Sequence, residues 1–219
     1  MDASSLSLAA ASLGTDVHIW QVPWNGVSAE ALFRPWLAAY ASVDASSLSV
    51  VRGPHGKPWL EAPFDDLSFS WSHSGDQALL AVGRGEPGFQ LGVDIERVRA
   101  RPRVLALAER FFSADEFVLL SARDEPERLD GFLALWTAKE AVLKANGGGL
   151  SYGLHRASFR MEGGVAAPEQ FDGEIAPADA WCVRSLEVGR GFVASVAWRG
   201  VARTVRFMNG EPAVFTTAP

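Results

Sequence analysis

The chain has 219 residues, 48% of them hydrophobic and 21% charged, with a formal net charge of −6. That length is enough to bury a sizeable core in one large domain or two small halves, and the acidic balance argues against a dedicated nucleic-acid binder, which would carry a basic face. No apolar run approaches the roughly 18 residues needed to cross a bilayer, so no membrane association is expected.

The opening MDASSLSLAAASLGTDVH lacks a basic leader, and a single cysteine, Cys182, excludes an internal disulfide. A cytoplasmic monomer is the expectation. In chain order, residues 1–15 are rich in Ser and Ala and expected to be loose, as are 211–219. The segment DVHIWQV (16–22) alternates as a first strand. Residues 28–42, SAEALFRPWLAAYAS, predict a helix that Pro35 should kink or shift. GPHGKPW (53–59) is turn chemistry.

Strands are predicted over 67–72, 78–82 and 89–98, then helices over 101–112, 113–122 and 126–145. Strands return over 157–162, 181–188, 191–200 and 204–209. This order predicts an α+β protein of two similarly built halves, 16–98 and 99–210. The eight tryptophans are assigned to core packing.

GRGEPG (83–88) matches the glycine spacing of a dinucleotide-binding turn. That motif requires a helix directly after it, whose N-terminus meets a pyrophosphate. Here an alternating strand follows, so the segment is read as a hairpin loop.

The helix FLALWTAKEAVLKAN is more informative. At 100° per residue, Leu129, Phe132, Leu133, Trp136 and Leu143 share one face, and Glu140 falls inside that arc. Lys144 lies at the arc's edge beside Glu140, and Lys139 at the opposite edge. An exposed Glu140–Lys144 pair would be worth only ~0.2–0.5 kcal/mol; a carboxylate aimed inward needs a stronger partner.

In LGVDIERV, Asp94 and Glu96 point to one face of a strand and Val93 and Ile95 to the other. Two such carboxylates are as compatible with a solvated strand edge as with a cation site. Together with Glu140 they make an oxygen-only set suited to Mg²⁺ or Mn²⁺. In FSWSHSGD, His73 lies between Ser72 and Ser74. A structural histidine is the default there, and phosphate binding by imidazole and hydroxyl donors is the functional alternative.

WSHS (71–74), GVDIE (92–96) and WTAKEAVLK (136–144) occur in the order and at the spacings of one family. The chain resembles the 4′-phosphopantetheinyl transferases of the surfactin-synthetase-activating type. GKPW, RFFSADEF and GGGLSYGL resemble that family's flanking segments, so the likeness covers about residues 51 to 154.

The resemblance implies transfer of the phosphopantetheine arm of coenzyme A to a serine of an apo acyl or peptidyl carrier protein, releasing adenosine 3′,5′-bisphosphate. It also implies a pseudo-dimer of two α/β halves with the active site in the cleft between them. Asp94, Glu96 and Glu140 would hold Mg²⁺, and Lys144 would sit by the phosphates with Lys57, Ser72 and His73. Glu140, or a metal-bound water beside it, is then the candidate general base, and Lys144 the group that stabilises or protonates the departing bisphosphate.

Glu116 occupies a segment where the family carries a carboxylate, but Ser113-x-x-Glu116 is also a capping box, which is preferred. Ser70 replaces a frequent asparagine. The N-terminal half is short, leaving Arg34 and Arg52 as candidates for the 3′-phosphate. Arg97, Arg99, Arg101, Arg103 and Phe111 are read either as a carrier-docking surface or as a solvated arginine-rich loop. A metal-dependent phosphodiesterase or nuclease is the alternative activity.

Overall fold

Strand β1 (Asp16–Pro23) is buried on both of its faces: Val17, His18, Ile19 and Trp20 are all at 0% exposure. A strand covered on both sides must lie between layers. The computed structural model, which describes residues 12–208, shows which layers these are.

Strand β1 sits in a four-stranded sheet of order β11-β1-β5-β4, with β4 spanning Leu67–Ser74, β5 spanning Gln77–Arg84 and β11 spanning Thr204–Met208. On one face, Trp20, Leu80 and Val82 pack against helix α1 (Ala29–Ala41). Tyr40 of α1 reaches the sheet directly: its hydroxyl lies 2.8 Å from His18 Nδ1 and accepts from Trp20 Nε1 at 3.0 Å. Ser28 caps the start of α1, and Pro35 lies within it.

The opposite face of this sheet, with Val17, Ile19, Leu79 and Ala81, meets Leu91, Val93, Ile95, Val196 and Trp198 of a second sheet. That sheet is antiparallel, of order β6-β10-β9, with β6 spanning Leu91–Arg97, β9 Trp181–Leu186 and β10 Phe192–Arg199. Its far face is covered by the longest helix, α4 (Glu127–Asn146). The layers therefore run α1, first sheet, second sheet, α4. Helices α2 (Val104–Phe111) and α3 (Ala114–Ser121) and the hairpin of β7 (Ala157–Glu162) and β8 (Val165–Phe171) close over the outside of α4.

The α+β class expected from the sequence is the one observed. The sheets do not divide at residue 98, however. Strand β6 pairs with β10 in the second sheet, and β11 returns to pair in parallel with β1 in the first. The 83–88 loop is consequently no hairpin: it carries the chain from β5 in one sheet to β6 in the other, with no helix after it.

Strands β2 (Val50–Arg52), β3 (Pro58–Leu60) and β8, and the single-turn helix α5 (Gly149–Tyr152), were not anticipated. The segments 1–11 and 209–219, which include most of the expected loose ends, lie outside the described residues.

The single-stripe reading of α4 also needs correction. Between Gly131 and Ala145 nearly every residue is buried, on all sides of the helix, because the second sheet covers one side and the β7–β8 hairpin with α2 and α3 the other. Lys139 is wholly enclosed, and its Nζ meets Glu116 Oε2 at 2.8 Å. Glu116 Oε1 also accepts the N–H of Phe159, and its Oε2 accepts that of Ser113, completing the capping box.

The tryptophans divide. Trp20, Trp36, Trp181 and Trp198 are core, Trp59 is 45% exposed, and Trp24, Trp71 and Trp136 line a groove.

Candidate active site

Strand β6 and helix α4 approach so closely that only glycine fits at position 92. A Cβ there would stand 2.0 Å from the carbonyl oxygen of Ala141 and 2.5 Å from the amide nitrogen of Ala145. Alternation along β6 puts Asp94 and Glu96 on this same helix-facing side as Gly92, while Val93 and Ile95 enter the inter-sheet core.

Helix α4 answers with Glu140 and Lys144, one turn apart. All four charged residues line one groove of 630 Å³, together with Trp24, Trp71, Ser72, His73 and Trp136. The walls of that groove come from both layers, β4 and the start of α1 on one side, β6 and α4 on the other.

Inside it, Lys144 Nζ donates to Asp94 Oδ1 at 2.6 Å and to Ser72 Oγ at 2.9 Å, and Ser72 Oγ donates to the same carboxylate oxygen at 2.8 Å. The partner of Lys144 is thus Asp94 across the groove rather than Glu140 on its own helix. Glu140 is buried, and among the described residues its Oε1 has no hydrogen-bond partner; the same is true of Asp94 Oδ2. Burial pushes the Glu140 carboxyl up to about 7, the charges of Asp94 and Glu96 add to the rise, and Lys144 opposes it. Glu96 is tied to Arg101 at 2.6 Å and to Ser74 at 3.2 Å.

Ser70, Ser72 and Ser74 project from β4 toward β6. Ser70 Oγ accepts the N–H of Val93 at 3.2 Å, and Ser74 Oγ accepts that of Arg97 at 3.0 Å. The outer two serines therefore join the edges of the two sheets through side chain and main chain. Ser72, between them, serves the charged cluster. His73, on the other side of β4, is exposed and stacks on Trp24 with centroids 4.3 Å apart and an interplanar angle of 13°.

Lys57 is not in this cluster. Its ammonium donates to three carbonyls, Leu91 O at 3.1 Å, Lys144 O at 2.8 Å and Ala145 O at 2.5 Å, and so caps the C-terminus of α4. Burial lowers it to about 8. It borders a larger cavity of 1090 Å³, walled by Trp59, Phe89 and Tyr152, that contains none of the other predicted site residues. Arg34 and Arg52 both pair with Glu30, and Arg52 also lies 5.8 Å over the ring of Trp71 at the groove wall.

The sequence profile of the 4′-phosphopantetheinyl transferase superfamily matches residues 90–197, from β6 through α4 to β10. The 4′-phosphopantetheinyl transferase Sfp of Bacillus subtilis (strain 168) is 31% identical over 168 residues, 76% of this chain and 70% of that protein. The chain belongs to the phosphopantetheinyl transferase family.

The 4′-phosphopantetheinyl transferase HetI of a Nostoc species is 30% identical over 180 residues, 81% of this chain and 72% of its own. The human L-aminoadipate-semialdehyde dehydrogenase-phosphopantetheinyl transferase is 31% identical over 140 residues, 59% of this chain and 44% of the relative. The protein is accordingly a transferase, which removes the phosphodiesterase alternative.

Two properties of the groove in this phosphopantetheinyl transferase suit a hard divalent cation. Asp94 and Glu140 each carry a buried oxygen without a hydrogen-bond partner among the described residues, and the acidic donors are all oxygen. Among the described residues no three His, Cys, Asp or Glu side chains stand close enough to form a ready-made metal cage. Two of the three carboxylates are instead held by internal cations, Asp94 by Lys144 and Glu96 by Arg101.

Three features escaped sequence reasoning. Trp24 as the partner of His73 and Arg101 as the partner of Glu96 depend on tertiary placement. The capping role of Lys57 could have been suspected only from knowing where α4 ends.

Proposed function

We propose that this transferase moves the phosphopantetheine arm of coenzyme A onto a serine hydroxyl of an apo acyl or peptidyl carrier protein, in the groove between the two layers. The reading takes the fold as a pseudo-dimer, α1 with the first sheet forming one half and α4 with the second sheet the other. The observation that carries it is the meeting of Asp94, Glu140 and Lys144 across a groove walled by both layers, in a chain of this family.

Asp94, Glu96 and Glu140 are the residues that would hold Mg²⁺. Bound there, it would neutralise charge on the pyrophosphate oxygens. The protein's own groups supply the rest. Glu140, buried at the groove wall, takes the proton of the incoming serine hydroxyl as its oxygen attacks the phosphorus bearing the pantetheine arm. The bond from that phosphorus to the bridging oxygen breaks, and Lys144, the groove's ammonium, stabilises the oxygen that leaves with adenosine 3′,5′-bisphosphate.

His73, exposed at the groove wall, donates to a phosphate oxygen, while Ser72, whose one hydrogen goes to Asp94, steadies that carboxylate beside Lys144. Lys57 is assigned to holding the end of α4, not to a phosphate, since three carbonyls already occupy its ammonium.

Incubation with coenzyme A, Mg²⁺ and a panel of apo carrier proteins, read by intact mass, tests this. One carrier gains the mass of the arm, and Glu140→Gln abolishes the gain while leaving the circular dichroism spectrum unchanged. No gain on any carrier defeats the proposal, and full activity of Glu140→Gln removes Glu140 as the base.

A further inference from the structure

Arg101 lies between β6 and α2; Arg97 at the end of β6 and Arg99 and Arg103 in the same connection are exposed. It alone turns inward. Its Nη2 meets Glu96 Oε2 at 2.6 Å, with the two side chains only 16% and 21% exposed. Its Nε is buried without a hydrogen-bond partner among the described residues, so the inward pose leaves one guanidinium N–H unsatisfied there. A pose that costs a buried donor is held by the carboxylate it neutralises. On the neighbouring rung of the same strand face, Lys144 neutralises Asp94 in the same way.

We infer that Arg101 is an internal counter-ion that competes with a divalent cation for Glu96. It acts as a positioning residue: with the cation absent it balances the acidic groove, and when the cation arrives it is displaced outward to join Arg97, Arg99 and Arg103. This rests on the divalent-cation reading given above. It accounts for a groove that has three carboxylates on its wall yet no ready-made cage among the described residues. The competing explanation is a half-buried ion pair that only anchors the segment to β6.

The two differ in sign. An anchor that is cut loosens β6 and leaves cation affinity unchanged or weaker. A competitor that is removed tightens it, because a unit positive charge beside a carboxylate opposes a second cation strongly at these separations.

The test is titration calorimetry of the full chain with MgCl₂, without coenzyme A or carrier. Arg101→Gln is expected to bind Mg²⁺ roughly tenfold more tightly than wild type. Arg101→Lys keeps the charge and should stay within about twofold, as should Arg103→Gln, which removes the same charge from an exposed site. Equal or weaker affinity in Arg101→Gln overturns the inference. So does an equal gain in Arg103→Gln, which would reveal only the overall charge. If wild type and Arg101→Gln both bind no Mg²⁺ at millimolar concentrations, the cation reading itself fails. Should Arg101→Gln not fold, Arg101→Met serves in its place.

Discussion

Gly92→Ala is the substitution with the most to say about how fold makes site. The added methyl would stand 2.0 Å from the Ala141 carbonyl oxygen, against the 3.4 Å at which ordinary contact begins. A second clash, 2.5 Å to the Ala145 nitrogen, closes the escape along the helix axis. Both obstacles are main chain, so no side chain can rotate away, and α4 and β6 must separate by about 1 Å or more.

Overpacking in a tight core costs about 1–3 kcal/mol, and this case should reach the upper end, lowering Tm by roughly 6–12 °C for a chain of this size. The separation falls between Asp94 on one side and Glu140 and Lys144 on the other. A misplacement of that order costs about 10²-fold in rate. Urea unfolding and kcat/KM for phosphopantetheine transfer measure the two effects. Gly14→Ala is the control: a Cβ there meets nothing within 4 Å, and it should be neutral or stabilising by about 0.4–1 kcal/mol. If Gly92→Ala kept wild-type stability and turnover, the close approach would not be what sets the site.

Glu116→Ala leaves the enclosed Lys139 ammonium without its carboxylate and should cost about 3–5 kcal/mol in urea unfolding, whereas Glu116→Ala combined with Lys139→Met should recover a large part of that. Additive losses in the double variant would refute the pairing. His18, fully buried beside Tyr40, has its pKa lowered by burial, so below its ordinary range the unfolded chain takes up a proton that the native state refuses. Stability therefore falls as pH drops below about 6.5; His18→Gln should flatten that dependence between pH 7.5 and 5, and an unchanged slope would rule His18 out. Trp24→Leu removes the ring under His73 and is expected to raise KM for coenzyme A about two- to tenfold with kcat nearly unchanged. A fall in kcat alone would place Trp24 elsewhere in the cycle.

Alternation in β4 and β6 is legible because the two faces of each strand differ in character, and Asp94 and Glu96 share a side as a period of two requires. The sequence predicts helix α4 over 126–145, close to its observed bounds, but misjudges its burial. A helix enclosed between a sheet and further helices loses the periodic signal that marks a one-sided one. Glu140 was singled out correctly as inward, although the single apolar stripe that argued for it does not exist.

The contacts of Lys57 and Arg101 are not legible in the sequence, which reads Lys57 as a phosphate ligand and Arg101 as part of a docking surface or a solvated loop. Both carry out their contacts across elements distant in sequence, 34 to 88 residues for Lys57, or through a loop whose path no periodicity records. The four-layer order depends on β6 and β11 each joining the sheet of the other half, which strand prediction alone does not reveal.

The join made by Ser70 and Ser74 has a consequence for how such a protein can change. No main-chain hydrogen bond links β4 to β6 among the described residues, so two strand borders that would otherwise invite pairing by another molecule are closed by hydroxyls instead. Each such contact is worth about 1 kcal/mol and can be exchanged singly. The width of the opening above residues 70–74 is therefore adjustable by one codon at a time, with both sheets left whole.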